Sequence, residues 1–170
     1  MKKIVSALLF TLSIIYINSQ EVKEPESKTQ FSDEALAMKV TSVSNDSITI
    51  QEIFSKHKGK IILLDIWASW CKDCVESIPK VKELQQNNPN IVYVFFSLDK
   101  TFEKWKSGIE KFGFSGEQYW LGNQWKNTFT NDISLNWIPR YMVIGKDGKI
   151  KTFFAITPDD RRIIEALNDN

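Results

Sequence analysis

The sequence IILLDIWASWCKDC, residues 61–74, joins a run of apolar residues directly to two cysteines that are separated by two residues. The apolar run Ile61–Ile66, broken only by Asp65, is typical of a buried strand. After the cysteines, apolar residues recur at helical spacing over residues 75–84. This stretch therefore predicts a strand that leads into a helix, with Cys71 at the helix N-terminus.

The surrounding sequence predicts how this strand and helix are built into a sheet. A second apolar run, Ile91–Leu98, follows the helix, and a strand, helix and strand in this order form a right-handed unit with parallel strands. Two later runs, Tyr141–Ile144 and Ile150–Phe154, flank Asp147-Gly148, which predicts an antiparallel hairpin. Thr157 is predicted to cap a final helix. We therefore expect an α/β fold with a central mixed sheet flanked by helices.

Cys71 and Cys74 are the only cysteines of the chain, and their spacing at a helix start lets the sulfurs bond while the first remains open to attack. A structural zinc site needs four nitrogen or sulfur ligands, and the chain offers only His57 besides the two thiols. A structural disulfide is the other alternative, but a bond across so short a loop removes little chain entropy. The pair therefore predicts a redox-active dithiol without a metal.

The position of the two thiols predicts their roles. The dipole and the free N–H groups at the helix N-terminus favour a thiolate at Cys71. We therefore predict that Cys71 attacks a substrate disulfide and that Cys74, one turn along, resolves the mixed disulfide. The neighbouring charges oppose each other, since Lys72 favours the thiolate and Asp73 disfavours it. The sequence therefore does not predict whether the protein acts as reductant or oxidant.

The N-terminus has the pattern of a secretory signal. Lys2 and Lys3 precede an apolar stretch, residues 4–17, and polar residues 18–20 follow it. We predict a signal peptide over residues 1–20, or else an N-terminal membrane anchor, and therefore an extracytoplasmic location in the periplasm or cell envelope. Disulfides persist in such compartments, which suits two cysteines that serve exchange.

The rest of the chain is predicted to form one domain. Residues 21–35 are polar, contain Pro25 and lack an apolar period, so we expect a flexible linker there. Residues 36–170 then form a single domain, since 170 residues with 42% hydrophobic content suit one core. Without the two leader lysines the formal charge shifts from +1 to −1. This balance gives no support for a nucleic acid or an anionic membrane as partner.

Three parts of the sequence together carry a family resemblance. The stretch Asp65–Cys74, Pro79 five residues after the second cysteine, and Trp137-Ile138-Pro139 before a predicted strand resemble the thioredoxin superfamily. With the signal-like leader and the extra segment 102–137, the chain is most similar to the TlpA/ResA branch of extracytoplasmic thiol-disulfide oxidoreductases. The resemblance implies a thioredoxin-like fold with a helix and strand segment inserted before a cis-proline.

The resemblance also implies partners and chemistry. The substrates would be proteins with disulfides or dithiols, and an upstream thiol-disulfide electron donor, which can be a membrane protein, would restore the redox state. No cofactor is implied besides the redox-active disulfide Cys71–Cys74.

Further roles around the dithiol follow from the same resemblance. Asp65 would be the buried acid that exchanges a proton with Cys74, and desolvation would raise its pKa. The alternative is a structural acid that is paired with a lysine such as Lys60. Pro139 in the cis form would leave the backbone of Ile138 open to an extended substrate.

Tryptophans surround the motif. We expect Trp70 to be a partly exposed wall for the substrate and Trp67 to pack in the core. The inserted segment holds four of the chain's six tryptophans, which either line a substrate groove or pack on the sheet. These four are Trp105, Trp120, Trp125 and Trp137.

Two other functions are compatible with the fold. A thiol peroxidase would have threonine three residues before the reactive cysteine, where this chain has Ala68. A redox-inactive binding module would not need an intact dithiol and Asp65. The ResA-like acid three residues after the second cysteine is also absent, since Ser77 stands there, and that role is not carried over. The sequence therefore predicts a thiol-disulfide oxidoreductase, with thiol peroxidase or redox-inactive binding module as alternatives.

Overall fold

The computed structural model describes residues 22–113 and 115–168, so the predicted signal peptide lies outside the described residues. The strands are β1 Lys39–Ser42, β2 Ser47–Thr49, β3 Ile62–Trp67, β4 Val92–Ser97, β5 Glu117–Trp120, β6 Arg140–Ile144 and β7 Ile150–Ala155. The helices are α1 Asp33–Leu36, α2 Ile50–Lys56, α3 Lys72–Asn87, α4 Phe102–Phe112, α5 Thr128–Asp132 and α6 Arg161–Leu167.

The strands form one mixed sheet in the order β2-β1-β5-β4-β3-β6-β7. β3 is parallel to β4, and β4 is parallel to β5. Helices α3 and α4 connect these parallel neighbours, and the right-handed rule places both helices on the same face of the sheet. β6 is antiparallel to β3 on its other side, and β7 continues as the predicted hairpin. The predicted α/β class and mixed sheet are confirmed.

The register of β3 and β6 creates the geometry of the site. Ile66 of β3 lies opposite Arg140, the first residue of β6. The C-terminal end of β3, at Trp67, therefore lies beside the N-terminal end of β6, which follows Pro139. All six residues of β3 are buried, which is why this strand is apolar apart from Asp65.

Helix α3 is amphipathic, as the spacing predicted. Cys74, Ile78, Val81 and Leu84 are its buried residues. Cys71 is its N-cap residue, and Pro79 lies inside the helix. Burial of one apolar stripe against the sheet provides most of the stability of such a helix.

The second half differs from the expectation in detail. The inserted segment contains α4, β5 and α5, as predicted for a helix and strand insertion. The predicted cap of the last helix at Thr157 is wrong, because α6 begins at Arg161. Asp160 caps it instead, and its carboxylate accepts a hydrogen bond from the backbone N–H of Arg162 at 2.9 Å.

Residues 22–32 contain no helix or strand. Their contacts tie them to the domain, since Lys28 pairs with Asp132 at 2.9 Å and Glu24 pairs with Arg162 at 2.9 Å. Helix α1 begins at Asp33, three residues before the predicted start of the domain. Among the residues described, no helix has the length and apolar character that crossing a membrane requires.

Candidate active site

Cys71 and Cys74 form a disulfide at the start of α3, with their Cα atoms 5.3 Å apart. The backbone N–H of Cys74 donates a hydrogen bond to Cys71 Sγ at 3.1 Å. This N–H is one of the groups that the first helical turn leaves without a backbone partner, and it would stabilise a Cys71 thiolate after reduction. In the oxidised state Cys71 is 7% exposed and Cys74 is 4% exposed.

The loop before β6 lies against the first cysteine. The Ile138–Pro139 peptide bond is cis, as the resemblance implies, and the carbonyl oxygen of Ile138 lies 3.6 Å from Cys71 Sγ. The structure therefore brings Cys71, Ile138 and Pro139 together, although 67 residues separate Cys71 from Ile138.

Two tryptophans stand beside this junction. Trp70 directly precedes Cys71 and is 52% exposed, while Trp137 directly precedes Ile138 and is 41% exposed. Trp67, in contrast, is buried in the core, as predicted. Of the tryptophans in the inserted segment, Trp105 is fully buried, while Trp137, directly before Ile138, is exposed.

Asp65 lies in the middle of β3, opposite Tyr141 of β6. Side chains that face each other across antiparallel strands share one face of the sheet. The Tyr141 side chain interacts electrostatically with Ser77 of α3 and with Asp65, so Asp65 also lies on the face that α3 covers. This places Asp65 behind the dithiol, on the helix side of the sheet.

Asp65 is buried, with one carboxyl oxygen unpaired within the part of the chain that the structure describes. The residue is 3% exposed, and its Oδ1 atom accepts no hydrogen bond from the described residues. Desolvation by burial raises the pKa of Asp65 well above its ordinary value. The alternative of a structural acid paired with Lys60 is wrong, because no ion pair within residues 22–113 and 115–168 involves Asp65.

The predicted tuning residues Lys72 and Asp73 are both exposed in the first turn of α3. The ammonium group of Lys72 lies 3.6 Å from the carboxylate of Glu76. Opposite exposed charges at such positions act weakly on a nearby thiolate. Across the described part of the chain, no group of three or more His, Cys, Asp and Glu side chains could hold a metal ion.

The sequence pattern did not point to Arg140, which follows the cis-proline and is completely buried. Its Nη2 atom donates to Asn136 Oδ1 at 2.6 Å, and its guanidinium lies 4.2 Å from the ring centroid of Phe154. Burial lowers the pKa of Arg140 to about 10. Arg140 therefore anchors the residues that lead into Trp137 and Ile138. The one indication of its role in the sequence was an arginine at the start of an otherwise apolar strand.

The pattern also missed Asp99, which is completely buried just after β4. Its carboxylate accepts hydrogen bonds from Ser69, two residues before Cys71. The available signal was a charged residue directly after an apolar strand, where parallel-sheet proteins place site residues.

Comparisons with known proteins agree with this geometry. Residues 59–150 match a protein family described as thioredoxin-like. The thiol-disulfide oxidoreductase ResA of Bacillus anthracis is 24% identical over 160 residues, which cover 88% of this chain and 87% of that protein.

Solved structures give the same result. The solution structure of a proposed thiol-disulfide oxidoreductase from Bacteroides vulgatus has a TM-score of 0.66 and 28% identity, covering 81% of this chain and 88% of that one. A secreted disulfide oxidoreductase from Mycobacterium tuberculosis has a TM-score of 0.59 at 19% identity, covering 75% of this chain and 89% of that one.

The family match spans more than half of the chain and includes β3, the dithiol, the cis-proline and β6. The resemblance that the sequence motifs indicated is therefore confirmed. This chain belongs to the thioredoxin-like family.

Proposed function

We propose that the protein is an extracytoplasmic thiol-disulfide oxidoreductase that exchanges disulfides with protein substrates through Cys71 and Cys74. The observation that carries the proposal is the disulfide at the N-terminus of α3, with the carbonyl oxygen of Ile138 3.6 Å from Cys71 Sγ. Relatives named thiol-disulfide oxidoreductases support the same chemistry.

In the direction of substrate reduction, the exchange proceeds in two steps. The Cys71 thiolate attacks one sulfur of a substrate disulfide, the substrate S–S bond breaks, and the leaving sulfur takes a proton. Cys74 then loses its proton and attacks Cys71 Sγ, which releases the second substrate thiol and forms the Cys71–Cys74 disulfide. Two electrons pass from the enzyme dithiol to the substrate, and an upstream thiol-disulfide donor, for which a membrane protein is our candidate, returns them.

The hydrogen-bond donor at Cys71 supports its role as the attacking group. The N–H of Cys74 lies 3.1 Å from Cys71 Sγ and stabilises the thiolate over the thiol. Cys74 is less exposed and lies inside the first turn of the helix, where the Cys71 sulfur of a mixed disulfide is within reach while a substrate approaches from outside.

Asp65 serves as the proton acceptor for Cys74 in this proposal. An apolar site that raises the pKa of a carboxyl well above 3.8 moves it toward the range in which a general base works at neutral pH. The missing ion pair supports this role, because a carboxylate fixed by a lysine would hold its negative charge and take up a proton less readily.

The substrate backbone pairs with the loop before β6. A cis-proline has no N–H, and the backbone of Ile138 beside it can pair with an extended segment. Trp70 and Trp137 directly precede Cys71 and Ile138 in the chain, and their exposed rings would contact that segment. Apolar or aromatic residues next to the substrate cysteine suit these rings.

The extracytoplasmic location is supported by the signal pattern over residues 1–20 and by the secreted Mycobacterium tuberculosis neighbour. In a compartment that maintains disulfides, an exchange enzyme needs a partner that restores its redox state.

Trapping of the mixed disulfide tests the proposal. The full-length wild type, Cys74→Ser and Cys71→Ser proteins are first reduced and then compared in an insulin reduction assay. Intact mass spectrometry follows covalent adducts with the insulin chains. We expect Cys74→Ser to accumulate an adduct through Cys71, Cys71→Ser to form none, and the double variant to be inactive.

An adduct on Cys71→Ser but not on Cys74→Ser would contradict the assigned roles. Turnover of hydrogen peroxide faster than of insulin would favour the thiol peroxidase alternative. Absence of both activities, with the dithiol reducible by dithiothreitol, would favour the binding module.

A further inference from the structure

Asp99 lies two residues beyond the end of β4 and is completely buried. Its two carboxylate oxygens accept hydrogen bonds from the N–H of Ser69 at 3.2 and 3.1 Å. They also accept from Ser69 Oγ at 2.6 Å and from Ser97 Oγ at 2.8 Å. The backbone N–H and the hydroxyl of Ser69 therefore both donate to the same carboxylate.

Asp99 is itself held firmly. Its backbone N–H donates to Ser97 Oγ at 3.0 Å, and its carbonyl oxygen accepts from Trp120 Nε1 at 2.8 Å. These contacts attach it to β4 and to the neighbouring β5. A buried acceptor whose own backbone is fixed can impose a position on the groups that donate to it.

Ser69 belongs to the short connection between β3 and the catalytic helix. The N–H of Cys71 donates to the carbonyl oxygen of Ala68 at 3.1 Å, so residues 68–71 form one turn around Ser69 and Trp70. A displacement of Ser69 would therefore move Cys71 away from the Cys74 N–H and from the carbonyl oxygen of Ile138.

Helix α4 restrains Ser69 from another direction. A Cβ atom added to Gly108 would lie 2.8 Å from Ser69 Cβ and 3.3 Å from Cη2 of Trp67. Real Cβ contacts are almost never that short, so the backbone of α4 approaches Ser69 as closely as glycine permits. Hydrogen bonds from one element and close packing from another thus fix the same residue.

We infer that Asp99 is a positioning residue for thiol-disulfide exchange, holding Ser69 so that Cys71 is placed at the helix N-terminus and opposite Ile138. This inference builds on the proposed role of Cys71 as the attacking thiol. Asp99 does not touch the reacting sulfur in this assignment. It acts through the Ala68–Cys71 turn.

The reactivity of Cys71 tests this assignment. In full-length Cys74→Ser protein, Cys71 is the one remaining thiol, so its alkylation by iodoacetamide can be followed across pH with and without Asp99→Ala. We expect Asp99→Ala to shift the midpoint of the alkylation profile and to slow mixed-disulfide formation with insulin by up to about 100-fold. Asp99→Asn keeps one acceptor oxygen and should restore part of the rate.

A core variant in another helix supplies the control. Ile163 is completely buried in α6, and Ile163→Val loosens the core while it leaves the hydrogen bonds between Ser69 and Asp99 in place. All variants are compared at a temperature where circular dichroism shows them folded. If Asp99→Ala leaves the alkylation profile and adduct rate the same as Ile163→Val does, Asp99 only stabilises the fold and the inference is overturned.

Gly108→Ala provides a second route if Asp99→Ala does not fold. It presses on Ser69 without altering the carboxylate, and it should also slow adduct formation. In Ser69→Gly protein the opposing Cβ is absent, so the effect of Gly108→Ala should shrink. An equal effect in both backgrounds would contradict a role for Ser69.

Failure of the Cys74→Ser parent to form any adduct would instead reject the proposed function, independently of Asp99.

Discussion

Asp65 lies in β3 and Asp99 lies just beyond the end of the neighbouring parallel strand β4. Both side chains are buried, yet their hydrogen-bonding surroundings are opposite. Asp65 Oδ1 accepts no hydrogen bond from the described residues, and burial raises its pKa. Asp99 accepts four hydrogen bonds, from Ser69 and Ser97.

In this fold two buried carboxyl groups serve separate tasks. A buried carboxyl without partners is destabilised when ionised, so its proton is held and can be exchanged. A buried carboxylate with several donors is stabilised in place and fixes the groups that donate to it. We therefore assign proton transfer to Asp65 and geometry to Asp99.

The largest effect expected from this contrast is on the resolving step. Asp65→Asn removes the proposed proton acceptor of Cys74 but keeps the size of the side chain. We expect the release of reduced substrate from the mixed disulfide to slow by about 100-fold or more at neutral pH, and its pH profile to change. Single-turnover quench experiments with insulin measure this rate. Asp132→Asn, which alters an acid bound to Lys28, is the control, and an unchanged profile in Asp65→Asn would remove the base role.

The next effect is on stability, where we expect substitution of Asp99 to cost more than substitution of Asp65. Asp99→Ala leaves the N–H and hydroxyl of Ser69 and the buried hydroxyl of Ser97 without their acceptor, which should lower the free energy of unfolding by about 3 kcal/mol. Asp65→Asn should be neutral or stabilising at pH 7, because it removes a carboxyl that is desolvated without compensation. Urea unfolding of the oxidised proteins compares them. An equal loss in both variants would contradict the contrast.

The pH dependence of stability gives a smaller but more specific signature. Because the pKa of Asp65 is raised in the folded state, the folded protein binds a proton that the unfolded chain has released. Its contribution to stability is therefore complete below about pH 4 and declines as the pH rises through the folded-state pKa.

Relative to Asp65→Asn, the wild type should lose stability above about pH 4, with a slope of at most about 1.4 kcal/mol per pH unit. Taking the difference between the two proteins cancels the other titrating groups. Urea unfolding at several pH values measures it, and a difference that stays constant from pH 4 to pH 8 would show that Asp65 has an ordinary environment.

The smallest effect concerns Ser97. Ser97→Ala removes one donor to the Asp99 carboxylate and the acceptor of the Asp99 backbone N–H, but it leaves the N–H and hydroxyl of Ser69 bound to the carboxylate. We therefore expect a loss of about 1 to 2 kcal/mol in unfolding free energy. The alkylation profile of Cys71 should stay close to that of the wild type. If Ser97→Ala perturbs Cys71 as strongly as Asp99→Ala does, then the position of Asp99, rather than its bond to Ser69, controls the thiol.

The contrast between the two acids also shows what the sequence can reveal. Asp65 was predictable because it interrupts an apolar strand directly before the motif, and local pattern is enough to detect that. Asp99 acts through Ser69, 30 residues earlier in the chain, and no local period records such a pairing. Arg140 was missed for a similar reason, since its role depends on packing against Phe154 and on its hydrogen bond to Asn136.

The helices and strands also divide into those that the sequence pattern predicted and those that it did not. Apolar patterning and turn residues predicted β3, α3, β4 and the β6–β7 hairpin, because these strands are largely buried apolar runs and α3 buries one apolar stripe. The start of α6 did not, since Thr157 and Asp160 are both competent caps and the tertiary fold selects Asp160. The meeting of Cys71 with Ile138 came only from the family resemblance, because it depends on the register between β3 and β6.

The most direct test of the account is the titration of Asp65 itself. In full-length oxidised protein labelled with ¹³C at aspartate Cγ, the Asp65 resonance is identified by its loss in Asp65→Asn and followed by NMR across pH. We expect a midpoint well above 3.8, because burial raises the pKa of Asp65. A midpoint at or below that value would make the Asp65 carboxylate too weak a base to take a proton from a thiol, and its role as the proton acceptor for Cys74 would be contradicted.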